Sequence, residues 1–301
     1  MLEKSKKIIY RIYIEVFYYF YKMIYKFPKI HTIDETLDFI IENRVSLSRF
    51  GDGELHMVDN FGNIGFQNGN EKLSNRLKEV LLSKNKNCVV CLPYPLYSLD
   101  CYIQNSQYFW KASVVQHYKR YKEYLDFNKT YHNSFISRPY MDYIDKSNTG
   151  IYFEKFKNLW KDKDVLIVEG NLTKLGVGND LFNNVNKIDR IVTLNKNVFD
   201  LYDKLYSSIT DVIQDYDLVL LALGPTASVL TLDLADLKVQ VVDIGHIDVE
   251  YMWYKNSNLE KVSIQGKFVN EAQNVDGNNK RSDLKGNELE YHNQIIKKIL
   301  E

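Results

Sequence analysis

Asp164-Val-Leu-Ile-Val-Glu-Gly170 and Asp217-Leu-Val-Leu-Leu-Ala-Leu-Gly224 decide the fold. Each is a short, unbroken apolar run closed by glycine, without the strict alternation of a half-exposed strand. Continuous runs of this kind are expected where helices cover both faces of a sheet. Arg190–Leu194 and Val239–Ile244 repeat the pattern. Helical stretches alternate with them: Tyr152–Trp160, a short helix near Asp180, Val198–Tyr206, and a helix opened by Pro225. Strand and helix in alternation at this spacing predict an α/β fold with a parallel, doubly wound sheet.

Toward the N-terminus, Thr32-Ile-Asp-Glu35 has capping-box spacing and predicts a helix running to Asn43. Val45–Phe50 reads as a strand that ends in Gly51-Asp52-Gly53-Glu54. Asn70 caps a helix through about Ser83, Cys88–Leu92 is a strand, and the aromatic stretch near 98–125 is helical. Ser134–Ser137 is expected to be a further strand, before Arg138-Pro139-Tyr140. Toward the C-terminus, a polar, mobile loop is expected at 270–287, then a last helix at Glu288–Leu300.

Composition narrows the function. The chain has 301 residues, 39 Lys plus Arg against 39 Asp plus Glu, and is 45% hydrophobic. That excludes intrinsic disorder. A formal net charge of zero argues against a nucleic-acid partner, because phosphate contacts demand a basic surface. The three cysteines, Cys88, Cys91 and Cys101, form no disulfide framework and suit a reducing cytosol. Cys88 and Cys91 lie three apart on a strand and point to opposite faces, so they cannot share a metal.

Neutrality hides an asymmetry: between Met1 and Ile30 there are seven basic residues and only two acidic ones, Glu3 and Glu15. Residues 1–30 read as an amphipathic aromatic helix, and 31–301 as a single catalytic domain. At about 100° per residue, Lys4, Lys7, Arg11, Glu15, Lys22 and Lys26 form one stripe, and Ile, Tyr, Phe, Val and Met fill the remaining circumference. An interfacial helix would turn its lysines toward anionic lipid, with residues 4–27 at the headgroups. A packing or oligomerisation helix would bury the apolar side in protein, so a homo-oligomer is left open. A spanning helix would have to bury the charges.

Candidate chemistry follows from one rule: in open α/β sheets, ligands sit beyond the carboxyl ends of the strands. Asp52 and Glu54 place two carboxylates on a glycine-flanked turn after a strand, the ligand type that Mg²⁺ and Mn²⁺ take. Arg49 before them offers a phosphate contact. Gly176-Val-Gly178-Asn179 and Gly224-Pro225-Thr226 are turns at helix starts whose N–H groups suit an anion. The first matches the dinucleotide fingerprint only partly, since Leu181 stands where a third glycine belongs. Asp243-Ile-Gly-His246-Ile-Asp248-Val-Glu250 gathers titratable groups in one loop. There His246 is a candidate base or metal ligand, and Asp248 or Glu250 a candidate general base.

Six segments in order between about residues 32 and 275 resemble the bacterial glycosyltransferase family with a GT-D-type fold, long carried as a domain of unknown function. They are Ser48–Glu54 (SRFGDGE), Ser134–Asp142, Val168–Gly170 with Leu175–Phe182, Leu223–Leu230, Asp243–Trp253 and Gly266–Glu271. The resemblance implies a Rossmann-like core, a D-x-E metal motif and a sugar-nucleotide-dependent enzyme of surface-glycan or glycoprotein assembly. It carries the metal role, with Mn²⁺ or Mg²⁺, onto Asp52 and Glu54.

The expectation is therefore a hexosyltransferase moving sugar from UDP-glucose or UDP-galactose to a glycan, lipid-linked or glycoprotein acceptor. The enzyme would work in the cytoplasm at the inner face of the plasma membrane. Nucleotide would be held by Arg49, Phe50, Gly51, Arg138, Gly170, Gly176, Gly178, Asn179, Gly224, Pro225 and Thr226, with His246, Asp248 and Glu250 serving the acceptor. An S-adenosylmethionine-dependent methyltransferase and a non-catalytic glycan-binding or scaffold protein are the alternatives.

Overall fold

A computed structural model describes residues 2–58, 62–264, 266–267 and 287–301. The polar loop expected at 270–287 lies outside the described residues except for residue 287, as does most of the Gly266–Glu271 segment.

The described residues contain strands β1 (Lys29–Ile30), β2 (Ser46–Arg49), β3 (Cys88–Leu92), β4 (Thr130–Asn133), β5 (Asp164–Gly170), β6 (Lys187–Thr193), β7 (Leu218–Ala222), β8 (Gln240–Asp243) and β9 (Ile295–Ile299). They join one sheet in the order β1-β4-β3-β2-β8-β7-β5-β6-β9, and every neighbouring pair is parallel. The helices are α1 (Leu2–Ile24), α2 (Ile33–Asn43), α3 (Asp52–Met57), α4 (Glu71–Leu82), α5 (Gln104–Tyr124), α6 (Thr149–Trp160), α7 (Tyr202–Thr210), α8 (Pro225–Leu234), α9 (Ile247–Lys255) and α10 (Asn287–Asn293).

Alternation along each strand feeds two cores. Val165, Ile167, Leu218, Leu220 and Val242 pack under α2, α6 and α9 through Leu37, Phe156 and Ile247. Their neighbours Leu166, Val168, Val219, Leu221 and Val241 pack under α7 and α8 through Leu205, Ile209 and Leu230. Both faces are thus covered, which is why the strands read as unbroken apolar runs. Cys88 and Cys91 are free and buried, and burial pushes the Cys88 thiol up to about 12, so it stays protonated.

The predicted capping box is present: Thr32 Oγ1 accepts from Glu35 N at 3.2 Å, and Glu35 Oε2 accepts from Thr32 N at 2.8 Å. Asn70 caps α4 through Leu73 N at 2.8 Å. Three expectations are corrected. Ser134–Ser137 is a 3-10 turn, and the strand is the preceding Thr130–Asn133, with Asn133 Oδ1 capping the turn at Phe135 N. The chain near Asp180 forms turns and no helix, because Gly176 and Gly178 adopt φ of 75° and 82°. The predicted last helix divides into α10 and the edge strand β9, which pairs with β6.

Helix α1 lies on α5. Ile14 and Tyr18 are buried, Tyr21 and Tyr25 stack on Tyr118 at 5.0 and 4.2 Å, and Lys111 pairs with Glu15 at 2.7 Å. Lys22 donates to the carbonyls of Leu96 and Tyr97, each at 2.9 Å. Among the described residues, no helix is long and apolar enough to cross a membrane.

Candidate active site at the β2–β8 crevice

β2 and β8 are neighbours whose outgoing connections run to opposite sides of the sheet, toward β3 and toward β9. Such a switch point opens a crevice at the carboxyl ends of the strands. Only Leu47 and Val242 are in register across this seam, and side chains stitch the rest. Val241 N donates to Ser46 Oγ at 3.0 Å, and Gln240 Nε2 donates to the carbonyls of Ile40 and Val45 at 2.8 and 2.9 Å.

At the mouth, Arg49 spans the seam. Its Nε donates to the Asp243 carbonyl at 2.8 Å, its Nη2 to Asp243 Oδ1 at 2.7 Å, and its Nη1 to Ser137 Oγ at 2.7 Å. One guanidinium thereby ties β2, β8 and the 134–137 turn together. Gly245 makes room for it: a Cβ there would stand 2.0 Å from Arg49 Nη2, and its φ of 46° also disfavours a side chain. Asp243 is buried, which raises its carboxyl, while Arg49 pulls it back.

Asp52 is exposed at the first position of α3. Glu54 is half-buried and folds back so that Oε2 accepts from Gly51 N at 2.9 Å. Loss of water raises the Glu54 carboxyl, and Asp243 raises it further, while the Gly51 N–H and Arg49 lower it. Acidic groups therefore collect at this strand end. Among the described residues, no three His, Cys, Asp or Glu side chains are grouped to hold a metal by themselves. A cation held by one or two carboxylates and completed by water and phosphate oxygens needs no such group, and Asp52 and Glu54, the first and third residues of α3, are the ligand type that Mg²⁺ or Mn²⁺ takes. Phe50 packs its side chain into the core, leaving its backbone as the part near the turn.

The glycine turns meet the same region. Gly224 caps α8 with φ 56°, Phe66 fills the space where its side chain would stand, and no side chain caps the helix. Pro225 and Thr226 are buried, and Thr226 Oγ1 has no hydrogen-bond partner among the described residues. Two residues on, Ser228 Oγ donates to the Arg49 carbonyl at 2.7 Å and fixes α8 to the end of β2.

Gly176 and Asn179 belong to a turn held by Asp248. Gly176 N and Asn179 Nδ2 donate to Asp248 Oδ1 at 3.0 and 2.7 Å, and buried Lys267 pairs with Oδ2. Both Asp248 oxygens are thus engaged, and the geometry gives it an anchoring role. Gly170 closes β5 against Asn195, whose Oδ1 also accepts from Leu172 N at 2.9 Å.

His246 stands half-buried at the N-cap position of α9. Glu250, one turn on, is fully buried: Oε2 accepts from Tyr140 N and Met141 N at 2.9 Å each, and Oε1 has no hydrogen-bond partner among the described residues. Burial pushes the Glu250 carboxyl up to about 7, against the pull of the Met141 N–H, Arg138 and the Tyr140 N–H; Asp142 adds to the rise. Arg138 and Glu250 are thereby brought together.

A family model for the glycosyltransferase GT-D fold matches residues 47–272. The chain belongs to this family. The GT-D chain is 38% identical over 243 residues to "Probable glycosyl transferase Gly" of Streptococcus gordonii, covering 80% of this chain. It is 38% identical over 269 residues to "Glycosyltransferase GlyD" of Streptococcus pneumoniae serotype 4, covering 89%. It spans 35% and 32% of those relatives' lengths, about a third of each.

A solved structure of the highly conserved domain of unknown function 1792, described as having a distinct glycosyltransferase fold, is similar with TM-score 0.83 and 38% identity, over 91% of this chain and 96% of that one. A new glycosyltransferase (DUF1792) from Streptococcus sanguinis is similar with TM-score 0.84 and 35% identity, over 90% and 99%.

Sequence reasoning about the GT-D chain missed two groups. Asp243 ends an apolar strand beside β2, which was the available signal, but its partner Arg49 lies 194 residues away. The buried Glu169–Arg190 pair was missed as well. Glu169 Oε2 accepts from Leu175 N at 2.7 Å, and Arg190 donates to the Leu175 carbonyl at 2.8 Å, so the pair shapes the base of the glycine turn.

Proposed function

We propose that this GT-D chain transfers a hexose from a UDP-sugar, UDP-glucose or UDP-galactose, to a glycan, lipid-linked or glycoprotein acceptor, with Mn²⁺ or Mg²⁺ held by Asp52 and Glu54. The observation that supports this reading is the β2–β8 switch point in the strand order. It brings the Asp52-Gly53-Glu54 turn, the Arg49–Asp243 pair and the first turn of α9 to one strand end. When bound, the cation would supply charge to offset that developing on the departing diphosphate.

The chain's own residues do the rest. Arg49, committed to Asp243 and Ser137, keeps the strand end rigid under the phosphates. The first turn of α8, uncapped by a side chain, would offer the Gly224 and Thr226 N–H groups to an anion, with Pro225, which has no N–H, fixing the turn between them. Arg138, near Glu250, would add a guanidinium for the phosphates. Gly170 and the turn at Gly176, Gly178 and Asn179, anchored by Asp248, would hold the nucleoside. Glu250 is the better candidate for taking the acceptor hydroxyl proton, because burial pushes its carboxyl up to about 7, where a general base is most effective. His246 would orient that hydroxyl. The reading includes the inner face of the plasma membrane as the place of work, near lipid-linked acceptors.

Donor hydrolysis and transfer by Asp52→Ala and Glu54→Ala, each with Mn²⁺ and with EDTA, test the assignment. The expected result is a loss of roughly a hundredfold or more in each variant and in EDTA. Unchanged rates in all arms would remove the metal role.

A further inference from the structure

Helix α1 turns its apolar side away from the protein. Ile9, Ile12, Tyr19 and Met23 are 66%, 59%, 61% and 79% exposed, with Val16 and Phe20 exposed beside them. These six fall within roughly 100° of the helix circumference. The charged stripe occupies the other side, where Glu15 and Lys22 bind the body and Arg11 lies 4.9 Å from the Tyr108 ring centroid. This reverses the sequence-based picture of lysines directed at lipid.

We propose that the outward side of α1 is a docking surface for an anionic lipid bilayer, entered apolar side first, with α1 lying in the interface plane. Charge selects this occupant. From residue 5 to 30 the exposed charges are Lys6, Lys7, Arg11, Lys26 and Lys29, all cationic, while Glu15 is half-buried against Lys111. A cationic rim around an apolar strip is complemented by anionic headgroups. A second copy of the chain on the same strip would set two cationic rims against each other. Tyrosine and phenylalanine on the strip suit the headgroup boundary.

The placement has a consequence for the site. α5 separates α1 from α3: Arg120 donates to the His56 carbonyl at 3.2 Å, and Tyr121 feels the charge of Asp52. Two helix diameters, about 20 Å, then lie between the lipid surface and the Asp52 turn. This deepens the membrane-surface part of the proposed function and rests on it for the acceptor's location. Vesicle binding is measured without donor sugar, so its failure would leave the transferase reading standing.

The test is co-sedimentation of the full chain with vesicles of phosphatidylcholine plus phosphatidylglycerol, and with phosphatidylcholine alone. Binding is expected to the anionic vesicles, to weaken as salt rises, and to fall roughly a hundredfold in the Ile12→Glu/Phe20→Glu variant. The thermal unfolding midpoint of that variant should match the parent's, since both side chains lie on the exposed side of α1. Three results would overturn the proposal: equal binding by variant and parent, no binding by the parent, or a concentration-dependent dimer that the variant abolishes in place of vesicle binding.

Discussion

Glu250 is the residue on which structure and chemistry press hardest. It is fully buried, and both bonds to its Oε2 come from backbone N–H groups of Tyr140 and Met141. Its carboxyl is raised from 4.5 to about 7, so the folded chain binds this proton more tightly than the unfolded chain. Stability from the neutral carboxyl is therefore complete below pH 4.5 and is lost as pH rises through 7. Glu250→Gln keeps a carbonyl for both N–H donors and removes the buried charge. Urea denaturation at pH 8 should find this variant more stable by about 1–3 kcal/mol, with little difference at pH 5. Transfer should nevertheless be lost, and the parent's rate should rise across pH 7. The acids and glycines of the site were legible because the strand-end rule picks them out. Partnership was not legible: no local pattern announces that Arg49 is held by Asp243, or that Asp248 is spent on a glycine turn. Phe50 was read as part of the site but sits one step along the alternation, in the core.

Among the elements, those with apolar periodicity and a cap were legible almost to the residue. α2 is the clearest case, since Thr32 and Glu35 satisfy each other's backbone donors before the apolar face of Leu37 and Ile40 begins. Thr32→Ala should cost about 1 kcal/mol in denaturant unfolding, without changing the donor KM. Elements were misread where polarity or ambiguity masked the period. β4 carries the sequence Thr-Tyr-His-Asn, polar because it lies near the sheet edge, between β3 and the two-residue β1. β9 reads Ile-Ile-Lys-Lys-Ile, which satisfies helical spacing as readily as strand alternation. Its place in the sheet is set by pairing with β6, and no local signal encodes that. At Leu175–Phe182 two left-handed glycines override an otherwise helical composition.

For the whole molecule, the parallel α/β class followed from the apolar runs, but the strand order did not. Within the sheet, the two halves of the chain, β1–β4 and β5–β9, adjoin at β2 and β8. Leu47 and Val242, the one in-register pair there, lie 195 residues apart in sequence. Pairing of such long range slows folding, because the loop must close before its contacts reward it. With a single in-register pair at this seam, the β2–β8 strand end is expected to open before the rest of the sheet. Under increasing urea, donor hydrolysis should disappear before helical circular dichroism does; coincident transitions would contradict this. A newly made chain would then hold most of its helices before its strand-end site is assembled.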